Sequence, residues 1–149
     1  YDVVAPQFPS PAPIEEWYDV LDPKNIEPDD VLIGHSLGGT FILRLLEKAK
    51  ANVAVLVASP AGNIENKDTN HENASYWAEP FDWESIKSNV NHMLLFYSPP
   101  DPNVSIKHAQ IVQKNVGANL TSINGAGHFR DDDGYDKFDQ LLAKLLPFL

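Results

Sequence analysis

The sequence contains no cysteine. Disulfide frameworks, thiolate-ligated zinc, iron–sulfur clusters and thiol nucleophiles are thereby excluded, and the absence fits a reducing compartment. Positive charge is scarce: 11 Lys and Arg stand against 21 Asp and Glu, a formal net charge of −10. An acidic surface repels phosphate backbones and anionic lipid, which argues against nucleic acid or a membrane surface as partner. Long apolar runs are missing too. The longest clean one is Val53–Ala58, well short of the ~18 residues a membrane span requires. Methionine occurs once, as Met93, and residue 1 is Tyr, so YDVVAP reads as the middle of a fold and an upstream portion is expected.

What is present fits one globular domain over residues 1–149, long enough to bury a core without metal or disulfide. Short apolar strands are expected at Val3–Ala5, Val31–Ile33, Val53–Ala58, Met93–Tyr97 and Leu120–Ile123. Helical spacing is expected over Ile14–Leu21, Leu37–Lys50, Ser105–Val116 and Tyr135–Leu146, with a short helix at Trp83–Ser88. Fully apolar strands alternating with helices predict a mostly parallel sheet covered on both faces, a three-layer α/β/α sandwich. The polar stretch from Pro60 to Asn91 reads as an irregular excursion between two strands.

The chemistry concentrates in VLIGHSLGG, Val31–Gly39. An apolar strand runs into Gly34-His35-Ser36-Leu37-Gly38 and a helix follows, the context required of a G-x-S-x-G nucleophile elbow. Side chains at Gly34 and Gly38 are expected to clash with strand or helix. Ser36 is then the nucleophile, and the Leu37 N–H, at the helix start, the oxyanion donor. In this arrangement an acid and then a histidine follow the serine in chain order. Asp101 lies in the Pro-stiffened loop after the penultimate strand, and His128 lies in the Gly-rich NGAGHF loop after the last. Trp77, Phe81 and Trp83 are candidate walls of an acyl pocket, core packing being the alternative. Asp131–Asp133 lacks the spacing of a calcium loop and reads as a solvated acidic cap on the last helix, so no metal site is expected.

These residues resemble the small serine hydrolases related to retinoblastoma-binding protein 9, within the α/β-hydrolase fold. The resemblance rests on VVAPQFPSP, IGHSLGG, SYWAEPFDWESIK, SPPDPNV and GAGHF. It implies a Ser36–Asp101–His128 triad, a cytoplasmic setting, and hydrolysis of a small carboxylic ester or amide through an acyl-enzyme, with no cofactor. It also implies a strand–helix unit ahead of Val3–Ala5, whose loop supplies a second oxyanion N–H. That first unit is expected to be missing, leaving strand edges unpaired. Two further expectations follow from that gap: a catalytically weak protein-interaction module as the alternative function, and a homodimer formed by strand pairing between chains.

Overall fold

A computed structural model describes residues 2–62, 75–76 and 79–149. Along them run helix α1 (Ile14–Val20), strand β1 (Val31–His35), helix α2 (Leu37–Leu46) and strand β2 (Ala51–Val57). Helix α3 (Trp83–Ser88), strand β3 (Val90–Tyr97), helix α4 (Ile106–Val116), strand β4 (Asn119–Ser122) and helix α5 (Asp139–Leu145) follow. The strands make one parallel sheet in the order β1-β2-β3-β4. Val55 sits opposite Ile33 on one side and Leu94 on the other, and Leu95 opposite Leu120.

Each connection moves one place along the sheet. Crossovers of one hand then put the connecting helices on one face. Leu43 and Leu46 of α2, Ile86 of α3, and Ala109 and Val112 of α4 accordingly pack on Leu56, Leu95 and Tyr97. Successive residues of a strand point to opposite faces, so Val53, Val55, Val57, Leu94 and Phe96 face the other way. There they meet Ala126, Phe129 and Leu145, with Phe138 and Leu141 alongside. Helix α1 lies outside these layers: Ile14 and Trp17 pack on Phe41 and Leu45 of α2, and Phe8 stacks on Trp17 at 4.5 Å. The architecture is a three-layer α/β/α sandwich.

Three elements depart from the sequence reading. Val3–Ala5 is not a strand. Val3 and Val4 are 89% and 83% exposed, and a strand needs a neighbour to take its N–H and C=O groups. Helix α2 stops at Leu46 because the Lys48 and Ala49 amides both donate to the Leu45 carbonyl, tightening the last turn. Helix α5 starts late because Tyr135 and Phe138 fold back on Phe129, with ring centroids 4.9 and 5.3 Å away. Helix α4 ends as its sequence suggests, on Gly117 in the left-handed conformation at φ 80°. Among the described residues no helix is long and apolar enough to cross a membrane.

Candidate active site

Strand β1 delivers Ser36 to its C-terminal end. The Ser36 N–H donates to the Val57 carbonyl at 2.8 Å, continuing the β1–β2 ladder one residue past the strand. The chain then reverses at φ 52°, ψ −122°, a conformation that costs a residue with a Cβ about 1–3 kcal/mol. The reversal lets α2 start at Leu37, whose N–H, in the first turn, has no acceptor within the helix. The approach of helix to strand is too close for a side chain at Gly34, where a Cβ would stand 2.6 Å from the Gly38 backbone. Gly38 itself has open space around it, contrary to the expectation from the sequence. The second tight glycine is Gly39, where a Cβ would fall 1.9 Å from the Ser59 hydroxyl.

Asp101 follows β3 and His128 follows β4, so both arrive at the same sheet edge as Ser36. His128 Nδ1–H donates to Asp101, at 2.9 Å to Oδ2 and 3.2 Å to Oδ1. A carboxylate can only accept, so the proton sits on Nδ1 and the Nε2 lone pair is presented to Ser36 Oγ, 3.1 Å away. The Asp101 side chain is fully buried and that of His128 is 4% exposed. Two amides, Asn103 N–H at 2.7 Å and Val104 N–H at 3.0 Å, also donate to Asp101 Oδ1. They fix the carboxylate and offset its loss of water.

The other sequence candidates fall elsewhere. Trp77 lies outside the described residues. Phe81 is buried in the core beneath the Arg44 guanidinium, 3.9 Å from ring centre to Cζ, and Trp83 packs against it at 5.1 Å. Both belong to the core cluster on the α2–α4 face of the sheet, the packing alternative for these residues. A cavity of about 480 Å³ lies behind the acid loop, lined by Ser98, Asp101 and His108 among others. Neither Ser36 nor His128 lines it, so it is not the space over the nucleophile.

Asp131–Asp133 does not cap α5. It forms a 3-10 turn ahead of it, and the Asp133 carboxylate accepts from the His128 N–H at 2.9 Å and the Arg130 N–H at 3.1 Å. Those two bonds hold its pKa below the ordinary 3.8. His35, inside the elbow, donates from Nε2 to the His128 carbonyl at 2.7 Å. Both contacts act through backbone, which leaves no signature in residue type. Among the described residues no group of three or more metal-ligating side chains converges.

Comparison with known proteins finds similar hydrolases. Over its whole length the chain is 26% identical to the serine hydrolase RBBP9 of Rattus norvegicus, spanning 81% of that protein. It is 25% identical to the putative hydrolase YdeN of Bacillus subtilis, over 82% of this chain and 66% of that one. The crystal structure of the B. subtilis ydeN product superposes with a TM-score of 0.85 at 22% identity, covering 99% of this chain and 81% of that one. The serine hydrolase family model matches residues 3–146, which is nearly the whole chain, and the protein accordingly belongs to the serine hydrolase family.

Proposed function

We propose that this hydrolase cleaves a small carboxylic ester or amide through a Ser36–His128–Asp101 triad and an acyl-enzyme intermediate. The observation that carries the reading is the single imidazole bonded to Asp101 through Nδ1 and to Ser36 Oγ through Nε2. Ser36 Oγ bonds to the acyl carbon as its proton passes to His128 Nε2. The carbonyl oxygen, now negative, is held by the Leu37 N–H. His128 returns the proton to the leaving alcohol or amine as the acyl–heteroatom bond breaks. Water then attacks the acyl-enzyme, giving its proton to His128, and Ser36 regains a proton as the acid departs. Asp101 keeps the imidazole in the correct tautomer and stabilises the imidazolium. A binding module has no use for three matched groups at these distances, which favours catalysis over a purely interacting role.

The test is active-site labelling. A fluorophosphonate probe should modify Ser36, and Ser36→Ala should abolish both labelling and p-nitrophenyl acetate turnover. Asp101→Asn should lower kcat by on the order of 10⁴-fold, because the amide favours the wrong histidine tautomer. Labelling that survives Ser36→Ala sinks the assignment.

A further inference from the structure

The turn that carries the catalytic histidine is closed by one backbone bond of its own, from the Phe129 N–H to the Ala126 carbonyl at 3.1 Å. Gly127 before His128 is at φ 57° and Phe129 after it is at φ 56°. The second of these is unfavourable for a side chain of that size. No helix or strand includes these residues. Two side chains from beyond that turn then bind the His128 N–H and carbonyl. The N–H donates to Asp133 Oδ2 at 2.9 Å, and the carbonyl accepts from His35 Nε2–H at 2.7 Å.

We propose, on the basis of the triad reading above, that His35 and Asp133 are a pair of positioning residues that clamp the His128 peptide and so aim its imidazole at Ser36. Neither needs to touch the reacting atoms. His35 neighbours Ser36 in the chain, so the bond from its ring makes the distance between nucleophile and base a property of one rigid unit. Its ring also lies against that of His128, with centroids 4.8 Å apart. A carbonyl cannot donate, so His35 carries its proton on Nε2. Burial lowers the His35 pKa, opposed in part by the bond to the His128 carbonyl. The ring next to His128 is then neutral when His128 becomes an imidazolium. Gly127 is part of the same device. A Cβ there would lie 2.3 Å from Asp133 Oδ1, so the glycine admits the carboxylate.

The experiment compares wild type with His35→Ala, His35→Gln, Asp133→Ala and Asp133→Asn. Gln can place an N–H near the position of Nε2, and Asn can place an accepting oxygen near Oδ2. Readouts are kcat and KM for p-nitrophenyl acetate, the rate of fluorophosphonate labelling, and the NMR resonance of the His128 Nδ1 proton. Misplacing a catalytic group by about 1 Å costs on the order of 10²-fold. Each alanine variant should therefore lose roughly 10- to 100-fold in kcat and labelling rate with KM little changed, and should move or broaden the Nδ1 resonance. Gln and Asn should recover most of the loss. Where an alanine variant does not fold, His35→Asn, whose amide falls short, and Asp133→Glu, whose carboxylate is displaced, should show the same losses. A kcat equal to wild type in the folded variants, or a loss that Gln and Asn fail to recover, overturns the clamp and leaves the triad standing. Absence of Ser36 labelling in the wild type overturns the triad and the clamp with it.

Discussion

Around Ser36 three glycines meet three different demands. Gly34 faces backbone: a Cβ would stand 2.6 Å from Gly38 and Gly39 main-chain atoms, which cannot rotate away. Gly39 faces the buried Ser59 side chain. Gly38 faces nothing within 4 Å and has an ordinary helical backbone. Gly39→Ala should destabilise by about 1–3 kcal/mol in chemical denaturation, the usual cost of overpacking. Gly38→Ala should raise stability by up to about 1 kcal/mol, because alanine is the better helix former. Equal losses at both positions would refute this division of roles. The meeting of Ser36, Asp101 and His128, the proposed serine, acid and base, was legible in the sequence because each is a residue type that the proposed chemistry demands, in a fixed chain order. The tight glycine was misassigned to Gly38, because its neighbour in space, Ser59, is 20 positions away in the chain. Asp133 and His35 were not legible as neighbours of the catalytic loop, since what they bind is peptide.

Helix α2 also organises the molecule at its other end. Arg44, only 6% exposed, donates from Nε to the Tyr76 carbonyl at 3.0 Å and from a terminal nitrogen to Glu47 at 2.8 Å. It also donates to the Glu79 carbonyl and lies over the Phe81 ring. One guanidinium thus ties the residues before α3 to the nucleophile helix. Arg44→Met should cost about 1–3 kcal/mol, since it orphans the carbonyl of the buried Tyr76. Arg44→Lys should not rescue it, because an ammonium cannot reach three directions at once. Helix α4 carries a second anchor. His108 Nδ1 accepts the Ala61 N–H at 3.0 Å, and burial lowers its pKa below 6.5. As pH falls through 6.5 the unfolded chain takes up a proton that the folded one refuses, so stability declines. His35 contributes a slope of the same sign. The specific expectation is that His108→Gln, which keeps an acceptor and removes the titration, flattens the decline below pH 6.5 relative to wild type. Helix α4 was legible from its helical spacing, and Ser105 and Gly117 cap it. The start of α5 was not, because aromatic stacking of Tyr135 and Phe138 on Phe129 overrides the helical spacing of the same residues.

For the whole molecule, charge and edge act against each other. The layered sandwich was legible because the alternation of apolar strands and helices permits few arrangements. The fate of Val3–Ala5 was not, because pairing depends on a neighbouring strand and not on composition. Among the described residues β1 has a strand on one side only, and Ile33 on it is 55% exposed. An apolar edge strand is a template for another chain. At neutral pH the net charge of −10 opposes such pairing. That protection fades toward the isoelectric point near 4.7. Light scattering should therefore rise as pH is lowered toward 4.7, while the fold, followed by circular dichroism, persists. Ile33→Lys places a charge on the edge, and at an exposed position it should change stability by no more than about 0.5 kcal/mol. It should suppress scattering when each protein is held at its own isoelectric point, which separates the edge effect from the change in net charge. Ile33→Ser should give an intermediate result, removing the apolar group without adding a charge. Scattering that is identical in all three proteins at their isoelectric points would show that association proceeds through another surface or through unfolding.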